Sequence, residues 1–325
     1  MYSAQPKNVV CFPYTRQTPL AVRGAGGGIT DALVLVHTLW RTTVKTIEIE
    51  ARGFTFTALA DGPEEGPLLI LLHGLPRNSW EWHHQIPAMA AMGFRTVAPD
   101  LRGFCPGARP EGVEAYHLKE YAQDILEIAD TLGPAGQPFH LMGTSIGATI
   151  AWWIAAKTPD RVKTLACINI PHPGAFAEAA SRSEAISEEQ RQKFSYFRES
   201  RKEGNEREMF KRMLAAQNLP PEESEPYRKA LDSDEALRAV YNYYRAIRLW
   251  RNEHLDPVPM PTLFIWPPGS GNISRSSAEA NANQVTGPYR FEIIEDAHQP
   301  ILQSEPEKLT RMLLDHLAEH ARVSD

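Results

Sequence analysis

A serine near the middle of the chain has the surroundings of a catalytic nucleophile. Ser145 lies in the segment G-T-S-I-G at 143–147, after the apolar run F-H-L-M and before a segment with helical spacing. Glycines on both sides allow a sharp strand-to-helix turn that holds a hydroxyl free above a sheet, at the N-terminus of a helix. The pentapeptide alone is weak evidence, but its strand-turn-helix context predicts that Ser145 attacks a carbonyl carbon.

The attacked carbonyl would need N–H donors for its developing negative charge. The apolar run at 68–72 ends in H-G-L-P, so the backbone N–H of Leu75 can point into the same site as that of Ile146. Backbone donors suit this task because they are fixed before the reaction begins. We interpret His73 as a structural hydrogen-bonding residue.

The general base is predicted to be His298. It ends the segment R-F-E-I-I-E-D-A-H, which begins with the last predicted strand and continues into the loop after it. Where a G-x-S-x-G nucleophile turn is used, the catalytic residues follow one another along the chain as nucleophile, acid and histidine, so the base is expected after the last strand. The other histidines lie in or beside predicted helices, where solvated or capping roles are usual; these are His83, His84, His117, His254, His316 and His320.

The elements around these residues alternate between short apolar runs and longer segments with helical spacing. This pattern predicts an α/β fold, a doubly wound and mostly parallel sheet with helices on both faces. Strands are expected near 44–50, 55–60, 68–72, 95–98, 139–142, 162–169, 262–266 and 290–294. Core helices are expected near 82–92, 119–132, 146–157 and 305–321.

One long segment interrupts the alternation. Residues 174–253 contain charged, amphipathic helical sequence and no convincing strand. We predict an inserted helical lid over the carboxyl ends of the strands, where open α/β sheets bind ligands. The α/β core would then comprise 44–173 and 254–325, with 1–43 as an N-terminal extension of unexplained role.

The composition favours a small-molecule substrate. The net charge of −6 and pI near 6.0 argue against nucleic acid or an anionic membrane as partner, since both require a cationic face. Cys11, Cys105 and Cys167 have no metal-ligand spacing with the histidines, so neither a metal nor a cofactor is expected. The N-terminus lacks the features of a secretory signal, which predicts a cytoplasmic protein. The oligomeric state cannot be read from these features.

Several segments resemble the epoxide hydrolase branch of the α/β-hydrolase superfamily, which is shared with haloalkane dehalogenases. They are H-G-L-P-R-N-S-W-E-W-H-H-Q-I-P from 73, Y-H-L-K-E-Y-A-Q-D-I-L from 116, A-W-W-I-A-A-K-T-P-D-R-V from 151 and I-N-I-P-H-P-G-A-F from 168. The similarity runs from about Ile47 to the C-terminus. It implies that Tyr244, and a second lid tyrosine near Tyr196, contact substrate, and we expect Trp80 to do so as well. The alternative is that both tyrosines only fill the aromatic core of a lid.

The chain departs from that family at the nucleophile. Epoxide hydrolases usually carry aspartate in G-H-D-W-G, whereas this chain has Thr144, Ser145 and Ile146 at those three positions. If a single aspartate-to-serine substitution had inactivated an epoxide hydrolase, the flanking histidine and tryptophan of G-H-D-W-G would still be present. The site is therefore predicted to be natively serine, as in esterases, lactonases and carbon–carbon hydrolases of the superfamily.

A second departure concerns the acid that would orient His298. The family places it after the strand that ends at Trp266, but the sequence there is P-P-G-S-G-N-I-S; the other position used in the superfamily, after the strand at 162–169, also lacks a carboxylate. An amide oxygen can replace a carboxylate, as in Cys-His-Asn proteases. Asn272 is the first choice for this role, with Ser270 and Asn169 as the other candidates.

These features predict a serine hydrolase that cleaves an ester, lactone or thioester of a small, moderately apolar molecule. Three alternatives stay open at this point. One is a cofactor-free lyase or oxygenase that uses a Ser/His pair, and another is an epoxide hydrolase-like protein with altered or lost chemistry. The third is a degenerate hydrolase that only binds its ligand.

Overall fold

Eight strands form one sheet in the computed structural model, which describes residues 44–295, 297 and 300–320, apart from the side chain of Ser270. The strands are β1 (Lys45–Ala51), β2 (Phe54–Asp61), β3 (Leu68–Leu72), β4 (Arg95–Pro99), β5 (Phe139–Thr144), β6 (Val162–Ile168), β7 (Thr262–Trp266) and β8 (Tyr289–Ile293). Their order across the sheet is β1-β2-β4-β3-β5-β6-β7-β8. The predicted extension 1–43, with Cys11, lies outside the described residues.

Six of the strands run parallel. Strands β3 to β8 pair in parallel with one another, and β2 is antiparallel to both of its neighbours, β1 and β4. The carboxyl ends of β3 to β8 therefore lie at the same edge of the sheet. The loops that leave this edge carry Gly74, Ser145, Asn169 and Asn272.

Helices cover both faces of the sheet. The helices are α1 (Ile86–Ala91), α2 (Leu118–Leu132), α3 (Ile146–Lys157), α4 (Pro173–Arg182), α5 (Glu184–Lys193), α6 (Tyr196–Ser200), α7 (Glu206–Ala215), α8 (Pro221–Ala230), α9 (Asp234–Trp250), α10 (Arg275–Glu279), α11 (Ile301–Ser304) and α12 (Pro306–His320). In β3, Ile70 and Leu72 pack in the core formed with α2 and α3, whereas Leu69 and Leu71 pack in the core formed with α1 and α12. This alternation follows from the two-residue period of a strand. The predicted doubly wound α/β fold is confirmed.

Helices α5, α8 and α9 contact the segments that leave the carboxyl edge of the sheet. The sequence predicted no strand in the segment that carries these helices, and the structure has none within residues 173–250. The contacts are Arg109 Nη2 to the Ala230 carbonyl (3.0 Å), Gln190 Nε2 to the Asn272 carbonyl (2.9 Å), Tyr227 Oη to Gln303 Oε1 (3.0 Å) and the close approach of Gly103 to the Ala239 backbone. The loops after β4 and β7, and helix α11 after β8, are thus attached to this helical segment.

Several element boundaries differ from the predicted ones by one or more residues, and two of these differences have a local cause. The helix predicted from Trp82 begins at Ile86, after a 3₁₀ turn at Ser79–Trp82, because Pro87 has a fixed φ and no N–H and so suits a first helical turn. The strand predicted to reach Asn169 ends at Ile168, because Asn169 has φ 72°, outside the β region.

Two other sequence features can be compared with the structure. Cys105 and Cys167 are free, buried thiols. In the described part of the chain, every helix is too short or too polar to cross a membrane.

Candidate active site

Ser145 occupies a strained turn between β5 and α3. Its φ of 53° and ψ of −121° are unfavourable for a residue with a side chain, and such strain is concentrated at functional sites. A Cβ on Gly143 would lie 2.4 Å from the Gly147 carbonyl oxygen, and a Cβ on Gly147 would lie 2.3 Å from the Leu72 carbonyl oxygen. Both positions therefore require glycine for the turn to close.

The turn exposes Ser145 and buries its neighbours. From Phe139 to Trp152, Ser145 is half-buried and every other residue is buried. Its backbone N–H donates to the Ile168 carbonyl at 3.3 Å, and its carbonyl accepts from the Thr149 N–H at 3.1 Å. The backbone is fixed on both sides while the hydroxyl remains accessible, as nucleophilic attack requires.

The loop after β3 lies directly against Ser145. A Cβ on Gly74 would lie 2.8 Å from the Ser145 Cβ and 3.4 Å from its Oγ. The Gly74 N–H donates to Glu81 Oε2 at 2.7 Å, so it is already engaged. The next residue, Leu75, is 5% exposed, and its N–H remains the predicted oxyanion donor together with that of Ile146.

A buried ion pair holds this loop. Arg77 Nε donates to Glu81 Oε1, and these side chains are 4% and 0% exposed. Burial raises the pKa of the Glu81 carboxyl, while Arg77 and the Gly74 N–H lower it. The sequence analysis did not identify this pair, although opposite charges four residues apart beside two tryptophans were a usable signal.

His73 has a structural role, as interpreted from the sequence. Its Nε2 accepts from the Leu101 N–H at 3.0 Å, and its Nδ1 lies 3.0 Å from the Gly74 carbonyl oxygen, which can only accept. Burial lowers the pKa of His73 to about 3, so the ring is neutral near pH 7.

The predicted general base, His298, lies outside the described residues. Strand β8, which leads to it, ends at Ile293 on the same edge of the sheet as Ser145. Three other histidines are weak bases at neutral pH, because burial lowers the pKa of His140 and His172 to about 4 and that of His316 to about 3. The assignment of His298 remains a prediction.

His316 is not on an exposed helix face as the sequence analysis expected. It is 1% exposed and lies on the face of α12 that also carries Leu309 and Leu313, at helical spacings of seven and three residues. His117 does cap a helix, since its Nδ1 accepts from the Lys119 N–H at 3.2 Å.

The candidate residues for orienting His298 have different surroundings. Asn169 is 2% exposed, and its Oδ1 accepts no hydrogen bond from the described residues. Asn272 is half-buried, and its carbonyl accepts from Gln190 Nε2 of α5. The side chain of Ser270 lies outside the described part of the chain.

The predicted substrate-contacting aromatic residues lie in two groups. The Tyr196 and Tyr244 rings meet edge to face, with centroids 6.1 Å apart, and burial raises the pKa of both hydroxyls. Trp80 instead stacks on His83, with centroids 4.1 Å apart.

Tyr243, which the sequence analysis missed, links this aromatic group to α3, the helix that follows Ser145. Burial raises its pKa to about 12, and a hydrogen bond with the Thr149 side chain lowers it. Thr149 also bonds the Ser145 carbonyl, so α9 reaches the first turn of α3.

Known proteins resemble this chain over most of its length. Residues 67–267 match the family model of the alpha/beta hydrolase fold. "Epoxide hydrolase 3" of Xenopus tropicalis is 29% identical over 84% of this chain and 77% of its own length. "AB hydrolase superfamily protein YfhM" of Bacillus subtilis is 26% identical over 84% of this chain and 98% of its own.

Solved structures agree with these relatives. A structure described as one of the "Novel epoxide hydrolases belonging to the alpha/beta hydrolases superfamily in metagenomes from hot environments" has a TM-score of 0.74 and 25% identity, and the match covers 86% of this chain and all of that one. The chain therefore belongs to the α/β-hydrolase fold family, in its epoxide hydrolase-like branch.

Proposed function

We propose that this α/β-hydrolase cleaves an ester, lactone or thioester of a small, moderately apolar molecule through an acyl-enzyme on Ser145. The observation that carries the proposal is the strained, half-buried Ser145 with Gly74 of the β3 loop directly against it. An accessible hydroxyl beside fixed backbone donors is the arrangement that acyl transfer needs.

The chemistry would proceed in two halves. His298 takes the hydroxyl proton as Ser145 Oγ attacks the carbonyl carbon, and the resulting oxyanion is held by the N–H groups of Leu75 and Ile146. The C–O or C–S bond to the leaving group then breaks, and the leaving group takes the proton from His298. Water, deprotonated by the same histidine, attacks the acyl carbon and releases the acid and free Ser145.

We further propose that a neutral amide orients His298. The buried Asn169 Oδ1, without a donor among the described residues, supports Asn169 more strongly than Asn272, whose backbone engages α5. A neutral partner stabilises the imidazolium less than a carboxylate does, so the enzyme should favour activated acyl groups such as thioesters, strained lactones and phenyl esters.

The helical segment 174–253 is proposed to form a lid over Ser145. Its contacts with the segments that follow β4, β7 and β8 support this role. The hydrogen bond between Tyr243 and Thr149 supports it as well. Aromatic residues such as Tyr196 and Tyr244 would then give the pocket its apolar character.

Epoxide opening is the second candidate, favoured by the relatives named epoxide hydrolase and by the close Tyr196–Tyr244 pair. Ser145 would form an ether with the opened ring, which has no acyl carbon for water to attack. Such an enzyme would instead have to direct water at the ring carbon while a tyrosine protonates the epoxide oxygen.

A substrate panel tests the proposal. Purified enzyme should hydrolyse phenyl esters, thioesters or lactones, and Ser145→Ala and His298→Ala should each lower kcat by at least about 10⁴-fold. The double variant should be no slower than either single variant, because nucleophile and base act as one unit. Turnover of styrene oxide-type epoxides that survives in Ser145→Ala, with no acyl turnover, would instead establish the second candidate.

A further inference from the structure

Two adjacent histidines meet a glutamate from the helical segment. His83 Nε2 lies 3.4 Å, and His84 Nε2 lies 3.8 Å, from the same Oε1 of Glu223 on α8. One ligand atom from each of the three residues lies within 4.8 Å of the other two. We propose that His83, His84 and Glu223 bind a divalent transition-metal ion of the zinc class, which ties α8 to the loop after β3.

His83 is oriented as metal-binding histidines are. Its Nδ1 lies 2.6 Å from the Trp80 carbonyl oxygen, which can only accept, so Nδ1 carries the hydrogen and Nε2 faces the carboxylate. Ligand histidines usually donate their other N–H to a carbonyl in this way. The side chain is 1% exposed and stacks on Trp80, so its orientation is fixed before an ion arrives.

Glu223 is also held in place. Its Oε2 accepts from Gln303 Nε2, which leaves Oε1 toward the histidines, and Gln303 Oε1 in turn accepts from Tyr227 Oη at 3.0 Å. Glu223 and His84 are 21% and 17% exposed, so an ion can enter from solvent and water can supply a further ligand.

The donor set and spacing select the class of metal. Two imidazoles and one carboxylate suit zinc, cobalt, nickel or copper rather than magnesium or calcium. Tetrahedral zinc at about 2.0–2.1 Å from each donor places the donors about 3.3 Å apart. The His83–Glu223 distance of 3.4 Å meets this spacing, whereas the 3.8 Å between His84 and Glu223, and the distance of up to 4.8 Å between the two histidines, must shorten as the side chains close on the ion.

The sequence did not predict this site, because the histidines and the glutamate are far apart along the chain and no ligand spacing links them. It lies outside the acyl-transfer machinery proposed for Ser145. Its effect would be structural: the ion would link α8 of the helical segment to the loop that carries Trp80.

Cobalt titration of the full-length chain, first treated with a chelator, tests the proposal. We expect one Co²⁺ per chain with the visible absorption of a four-coordinate ion, and at least about tenfold weaker binding in His84→Ala and in Glu223→Gln. The Glu223→Gln side chain can still accept from Gln303. His117→Ala is the matched control, since His117 forms a 3.2 Å pair with Glu253 but belongs to no group of three potential ligands among the described residues.

A second measurement follows the bridging itself. Co²⁺ should slow amide hydrogen exchange within Pro221–Ala230 in the wild type and in His117→Ala, but not in Glu223→Gln. Absence of Co²⁺ binding at submillimolar concentration would overturn the proposal, as would equal binding by the wild type and both site variants. The cluster would then be only an ion pair between histidine and glutamate.

Discussion

At the scale of single residues, the unusual feature is a proposed serine nucleophile, Ser145, in a family whose usual acid positions hold no carboxylate in this chain. Ser145 has the strained backbone of a nucleophile turn, with φ 53°. The two loops in which an acid would be expected present Asn169 and Asn272. An amide holds the imidazole in one tautomer but provides no countercharge, so the rate should depend on how good the leaving group is.

Introducing a carboxylate tests this account of the histidine partner. Asn169→Asp should raise kcat on unactivated alkyl esters by at least about tenfold, since the reverse change in a serine protease costs about 10⁴-fold. Aspartate tolerates the positive φ at this position nearly as well as asparagine. Asn272→Asp, assayed in parallel, should leave the rate unchanged; a rise there alone would assign the role to Asn272.

At the scale of elements, the loop after β3 is held by charges that it buries. Glu81 accepts from the Gly74 N–H and from Arg77, and both of its oxygens are occupied. This arrangement aligns the backbone on either side of Leu75 without using the Leu75 N–H. The loop can therefore be rigid while one donor remains available to substrate.

Glu81→Gln should impair catalysis through this loop. The amide keeps the size of the side chain but not its charge, so we expect kcat to fall about tenfold with little change in KM, as loosened oxyanion donors would cause. Asp124→Asn provides the matched control, because it weakens another buried pair, which joins Asp124 of α2 to Arg102 of the loop after β4. Thermal unfolding should show comparable destabilisation of both variants, and a similar kcat loss in both would contradict a specific role for Glu81.

The contact between α6 and α9 gives a prediction for the lid. Tyr244→Phe should raise KM about fivefold if its hydroxyl bonds the substrate, since one hydrogen bond contributes about 1 kcal/mol. Tyr241→Phe, also on α9, is the control, because the Tyr241 hydroxyl contacts Met213 Sδ within the helical segment. If kcat and KM of Tyr244→Phe equal those of the wild type, Tyr244 only packs in the aromatic core of the proposed lid.

At the scale of the whole molecule, patterns local in the chain were predictable and distant contacts were not. The spans of β3, β7 and α3 match the predicted ones, because apolar runs and a helical period reveal strands and helices directly. The nucleophile turn was recognisable from its glycines. The burial of His316 and the meeting of His83 with Glu223 depend on tertiary packing, which no single segment encodes.

Buried neutral histidines make the stability of the molecule depend on pH. Burial lowers the folded-state pKa of His316 to about 3, below about 6.5 in the unfolded chain. The unfolded state thus binds more protons below pH 6.5, so the stability present above that pH is lost as pH falls toward 3. Relative to His316→Gln, the wild type should lose about 1.4 kcal/mol of unfolding free energy per pH unit between about pH 6 and pH 4.

Urea unfolding at several pH values would measure this difference. His254→Gln is the control, because the His254 side chain is 84% exposed and its replacement removes no buried imidazole. This variant should show the same dependence of unfolding free energy on pH as the wild type. Parallel pH profiles for the wild type and His316→Gln would contradict the neutral, buried state of His316.

The central claim, that Ser145 is the nucleophile, is tested most directly by covalent labelling with a fluorophosphonate followed by peptide mapping. Wild-type enzyme should gain one probe per chain, on the peptide that contains Ser145, and Ser145→Ala should remain unlabelled while folding normally. The label on another serine, or equal labelling of Ser145→Ala, would contradict the serine-hydrolase account.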